Sequence, residues 1–152
     1  MPSIVEQFQI LANEYIAENG RASAMDIAAY AVHNRLWQPE PSDMIRQCAR
    51  LFARAMRQEY FIDPQGRRVR AKHAATLSGE QTAFWDDMRT ASPEHIRVGF
   101  QQRREQILGE CKHLKMAVDS YNDNLNNGEP LQMIFDFTAD LMELEAGEDQ
   151  AA

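Results

Sequence analysis

Serines placed at the junctures divide this chain into helices more firmly than any other feature of it. Ser3-Ile4-Val5-Glu6, Ser23-Ala24-Met25-Asp26 and Ser78-Gly79-Glu80-Gln81 each have the form of a capping box. In such a box the serine oxygen takes a free amide at the helix start, and the acid or amide three residues on reaches back. Ser42-Asp43 and Ser92-Pro93-Glu94 set a serine cap before a residue favoured in a first turn. Helices are therefore predicted over 4–18, 24–34, 43–58, 79–89 and 93–121, and a last one over 131–145 ahead of a frayed acidic tail. Asn19-Gly20 stops the first, and Pro39 and Pro41 interrupt 35–41. The faces expected to be buried are Val5, Phe8, Leu11, Ala12 and Tyr15 on the first helix and Ile27, Ala28 and Ala31 on the second. On the third they are Ile45, Cys48, Leu51, Phe52, Ala55 and Met56.

One stretch reads as β. Glu59-Tyr60-Phe61-Ile62 is aromatic and β-branched, and Asp63-Pro64-Gln65-Gly66 suits a type I turn. Arg67-Arg68-Val69-Arg70 returns as an antiparallel strand. The expected fold is thus mainly α: three helices and a hairpin over 1–75, then an acidic helical region over 76–152. In the long helix Phe100, Ile107, Cys111, Leu114, Val118 and Tyr121 recur at heptad-like intervals, which predicts a coiled-coil seam and a homodimer.

Charge is divided between the two parts. The chain of 152 residues carries a net charge of −7, yet residues 1–75 hold ten basic and eight acidic residues while 76–152 hold six and fifteen. Between Arg46 and Lys72 eight basic residues meet only Glu59 and Asp63. Such asymmetry is the mark of a chain whose first part meets a polyanion. The opening twenty residues contain no Lys or Arg, unlike a secretory leader, and no apolar run is long enough to span a membrane. Cys48 and Cys111 belong to no paired motif, so both are expected as buried thiols in a reducing cytoplasm.

Three helices followed by a hairpin within about seventy residues resembles the winged helix-turn-helix superfamily, and Gly20-Arg21-Ala22-Ser23-Ala24-Met25-Asp26-Ile27-Ala28 resembles the approach to the second helix of such domains. The link around Trp37 is longer than the standard turn. The third helix carries Arg46, Arg50, Arg54 and Arg57, which at helical spacing fall within an arc of about 80° opposite the apolar face. Arginine forks suit phosphates and guanine edges, and Gln47 and Gln58 can add base-edge hydrogen bonds. The resemblance implies that this helix reads the groove of double-stranded DNA while the wing, with Arg67, Arg68, Arg70 and Lys72, touches the flanking backbone. That makes the chain a DNA-binding protein of bacterial type, acting in transcriptional control or in the biology of a mobile element.

Two rival readings belong to other classes. The winged domain can be a docking module of an adaptor, with the acidic half meeting a protein partner. Alternatively Gln132, Phe135 and Phe137, in Gln132-Met133-Ile134-Phe135-Asp136-Phe137, resemble the short peptides by which bacterial replication and repair proteins hold the sliding clamp. A packed helix explains the same residues. Nothing points to catalysis or a cofactor: the histidines are scattered, and Cys111 and His113, two apart on a helix, cannot share a metal.

Overall fold

A computed structural model describes residues 1–151. It is mainly helical, and the described residues form five helices and two small antiparallel hairpins. They fall into two compact units, Met1–Ala55 and Met56–Ala152.

The first unit holds α1 (Ile4–Asn19), α2 (Ala24–His33) and α3 (Pro41–Arg57), whose last two residues count with the second unit. Ser3 and Ser23 both cap as their sequence predicts. Each accepts from the amide three residues on, and Glu6 or Asp26 returns the bond to the serine's own amide. Gly20, at φ 81°, ends α1. α2 closes in a Schellman arrangement, with Leu36 N donating to Ala31 O and Arg35 N to Val32 O. Arg35 takes the left-handed position at φ 56° that glycine usually fills. α3 starts at Pro41, two residues earlier than expected. Proline suits the first helical position, and Asp43, not Ser42, returns a bond to the amide of Glu40.

Packing in this unit joins α1 to α2, where the rings of Tyr15 and Tyr30 lie 5.2 Å apart, and Ala31 is buried. The expected buried face of α3 is open: Ile45 is 76% exposed, Leu51 61% and Phe52 65%. Cys48 is exposed with it, contrary to the expectation of a buried thiol. The apolar stripe is real, but no element of the unit covers it. Val5 and Phe8 of α1 are likewise exposed, as is Ala28 of α2.

The second unit begins with β1 (Tyr60–Ile62) and β2 (Arg68–Arg70), paired antiparallel with Phe61 opposite Val69. Their turn is Asp63-Pro64-Gln65-Gly66, with Gly66 at φ 85° and its amide bonded to Asp63 O. The chain then changes partner at Ala71. Its amide donates to Glu59 O, and its carbonyl accepts from Met88 N. Beyond it β3 (Lys72–Ala75) pairs antiparallel with β4 (Phe84–Asp87), Lys72 facing Asp87 and Ala75 facing Phe84.

β4 corrects the helix predicted over 79–89. Gly79 sits at φ 87°, which no helix interior allows, and Glu80 Oε1 accepts from Leu77 N, so the apparent capping box closes a turn instead. Phe84 and Trp85 then follow their β propensity once β3 is there to pair with.

α4 (Pro93–Asn124) is capped by Ser92 and runs three residues past its expected end. It lies on β3, where Gly99 lets the backbones approach: a Cβ there would meet Ala74 O at 2.9 Å. Ala71, Ala75, His73, His95 and Gly99 make the buried centre, and Gln102 exchanges two hydrogen bonds of 2.9 Å with the backbone of Thr76. After α4 the asparagines order the reversal. Asn122 exchanges bonds with the backbone of Leu131 at 2.8 and 2.9 Å, and Asn126 bonds Glu129 O and Gly128 N.

Residues 131–137 therefore run without helical structure, and α5 (Thr138–Ala151) starts seven residues later than predicted. Asp136 accepts from the amide and hydroxyl of Thr138 at the helix start. The tail expected to fray after Glu145 continues as helix to Ala151. Among the described residues no helix is long and apolar enough to cross a membrane.

Candidate nucleic-acid interface

The basic residues singled out by sequence divide between the two units. Arg46, Gln47, Arg50 and Arg54 stand exposed on α3 in the first. Arg46 makes a long contact of 3.9 Å with Asp43, an exposed pair of a kind worth about 0–1 kcal/mol. Among the described residues neither Arg50 nor Arg54 has a carboxylate within ion-pair distance. Helical spacing alone puts these three guanidiniums on one side of α3.

In the second unit, Arg57 and Gln58 are exposed, and the Arg57 guanidinium lies 5.7 Å from the centre of the Trp85 ring. The hairpin cations have three different fates. Arg67 is tied by its Nε to Asp63 Oδ2 at 2.7 Å. Lys72 belongs to β3 and not to the first hairpin, and it donates to Asp87 at 2.8 Å and Glu59 at 3.0 Å. Those bonds, Asp87 first, raise the Lys72 pKa above its ordinary value, so its charge is fixed and already matched. Asp87 also pairs with Arg89, and Arg89 and Lys72 together hold its carboxyl far below the usual carboxylate range.

Among the described residues Arg68 and Arg70 have no carboxylate within ion-pair distance. The Arg68 guanidinium covers the Tyr60 ring at 4.0 Å, an arrangement that holds it flat. Arg70 is more unusual, because its Nε is buried and has no hydrogen-bond partner among the described residues. An orphaned buried donor costs about 1–3 kcal/mol, and more when charged. Its neighbour is Arg103 of α4, where burial and then the charge of Arg70 lower the guanidinium's pKa. Both arginines line one groove of about 570 Å³ with Tyr60, Arg68, His73 and Phe100.

Sequence alone gives no reason to single out Arg103. It sits in the acidic half beside Arg104, and only the fold of the second unit sets it with Arg70.

The proposed dimer seam is distributed along α4. The Phe100 ring stands edge-on to His73 at 5.0 Å. Ile107, Cys111 and Leu114 line a second groove, of about 440 Å³, with Met133, Ile134, Phe135 and Phe137 of the following segment. Val118 is half-buried and Tyr121 exposed. Gln132 is exposed, and the rings of Phe135 and Phe137 meet edge-on at 6.2 Å. The packed-helix account of these residues fails, since Gln132–Phe137 precede α5. Compared with known protein families, curated proteins and solved structures, the chain matches none.

Proposed function

We propose that this chain is a nucleic-acid-binding protein of the winged-helix kind, taking double-stranded DNA and acting as a homodimer in transcriptional control or mobile-element biology. One observation carries the reading. In a chain of net charge −7, Arg50 and Arg54 on α3 and Arg68 and Arg70 on the first hairpin have no carboxylate partner among the described residues. Carboxylates are plentiful, so guanidiniums left unmatched on two elements are suited to a polyanion from outside.

Arg50 and Arg54 would enter the groove, with Arg46 and Gln47 beside them, and Arg68 and Arg70 would hold flanking phosphates. Arg67 and Lys72, already neutralised, contribute little. Fluorescence anisotropy with a labelled duplex at two salt concentrations tests this. Affinity is expected to fall about tenfold or more from 50 to 200 mM salt if several phosphates are engaged. Salt-independent binding, or none at all, contradicts the reading.

A second reading is favoured by the non-helical backbone of 131–137. Gln132, Phe135 and Phe137, which stand outside any helix, would then serve as a clamp-binding peptide. In that case Gln132→Ala with Phe137→Ala abolishes clamp binding while the helical circular dichroism stays unchanged.

A further inference from the structure

The groove between the first hairpin and α4 gathers a cluster of positive charge. Arg70 and Arg103 line it together, and Arg68 lines it as well. Among the described residues none of the three has a carboxylate within ion-pair distance. The nearest acid on the lining, Asp63, is spent on Arg67. His73, also on the lining, uses its Nε2 on Arg70 O at 2.8 Å. Like charges brought together in partly dehydrated surroundings repel, and a buried guanidinium N–H without an acceptor adds to the cost. An anion with several oxygens removes both penalties at once, since each guanidinium offers a fork of donors.

We infer that this groove is a seat for a phosphate group, with Arg70 and Arg103 as paired ligands and Arg68 as a further donor. A phosphate supplies more charge and more acceptor oxygens than a single carboxylate, which suits two or three converging guanidiniums. The groove, at about 570 Å³, is roomy enough for the nucleoside attached to it, and Val69, Met88 and Phe100 give that nucleoside apolar walls. The phosphate can be carried by a free nucleotide or by a polynucleotide backbone. All the residues concerned lie in the second unit, so the inference does not depend on the reading of α3.

The lowered pKa values of Arg103 and His73 agree with this: each is lowered chiefly by burial and further by the charge of Arg70, and Arg103 also acts on His73. A negative charge in the groove opposes both effects.

The test is a titration of the intact protein with pyrophosphate, ATP and a short oligonucleotide, each followed through the arginine Nε–Hε resonances. The Arg70 Nε–Hε signal is expected to shift saturably. Arg103→Gln, an exposed position on α4, is expected to weaken the interaction about tenfold or more without lowering the thermal midpoint. Arg50→Gln with Arg54→Gln should leave pyrophosphate and ATP binding unchanged, which separates this seat from duplex binding by α3. A response to ATP and pyrophosphate supports a seat for free nucleotides, whereas a response confined to the oligonucleotide supports one for backbone phosphate. An Arg70 signal that stays still with all three probes at about 10 mM, or binding undiminished in Arg103→Gln, overturns the inference.

Discussion

Asp63 illustrates how much of the first hairpin hangs on one side chain. Its Oδ1 accepts from the amides of Gln65 and Arg67 at 3.0 and 2.8 Å, and its Oδ2 from Arg67 Nε. The Arg67 amide, followed by the Arg67 guanidinium, holds this carboxyl below its ordinary pKa against the opposing effect of burial. A depressed carboxylate stabilises the fold above its unfolded pKa of about 3.9 and stops doing so as pH falls through the lower folded value. Amide protection in 60–70 is thus predicted to hold from pH 7 to about pH 5 and to decline progressively below about pH 4, as pH falls toward the depressed folded value. Asp63→Asn should abolish that dependence. His73 is the complementary case, since burial chiefly, offset by its bond to Arg70 O, keeps it below its ordinary value. Its neutral form is native, so the second unit should lose stability as pH drops below about 6.5, read as a falling urea midpoint that His73→Gln removes. Arg35 makes a third point at this scale. A non-glycine residue in the left-handed region costs about 1 kcal/mol, so Arg35→Gly is predicted to stabilise the α2 terminus by about that amount. A chemical denaturation curve checks it.

Among the elements, α4 is where tight packing and helix propensity conflict. Glycine lowers helix stability, yet Gly99 is buried against Ala74 O, which a Cβ would meet at 2.9 Å, while Gly109 has nothing within 4 Å. The two glycines should respond in opposite directions. Gly109→Ala is expected to stabilise by about 0.5–1 kcal/mol, and Gly99→Ala to destabilise by about 1–2 kcal/mol once the clash outweighs the propensity gain. Equal stabilisation by both would mean that α4 does not lie on β3. The same scale shows what the sequence could reveal. The Ser3, Ser23 and Ser92 caps, the Asp63–Gly66 turn and the existence of α4 are legible in the sequence, because each is settled by residues within a few positions of one another. The β4 strand was not. Ser78-Gly79-Glu80-Gln81 has a capping pattern that Gly79's backbone contradicts, and Phe84 and Trp85 pair with Ala75 and Ala74 across an intervening loop. Likewise the delay of α5 to Thr138 depends on Asn122 gripping Leu131 across the turn. At the candidate site the helical setting of Arg46, Arg50 and Arg54 is legible from the sequence, whereas the neutralisation of Lys72 by Asp87 and the meeting of Arg70 with Arg103 are tertiary facts.

For the whole molecule the decisive quantity is surface. Large apolar side chains stand exposed in both units, among them Ile45, Leu51 and Phe52 on α3, Ile107 and Leu114 on α4, and Leu141, Met142 and Leu144 on α5. Exposed apolar faces of this kind suit association, and the proposed homodimer would cover those of α4. Light scattering is predicted to show a dimer at micromolar concentration, and Ile107→Asp with Leu114→Asp to shift it to monomer. A wild-type protein that stays monomeric throughout would refute the homodimer.

The central claim, that unmatched arginines engage nucleic acid, is tested most directly by the salt dependence of duplex binding in wild type and in Arg50→Gln with Arg54→Gln. Each phosphate contact contributes about −0.9 to the slope of log affinity against log salt concentration. The double variant is predicted to bind more weakly and to lose roughly 2 units of slope. An unchanged slope and affinity would contradict the account.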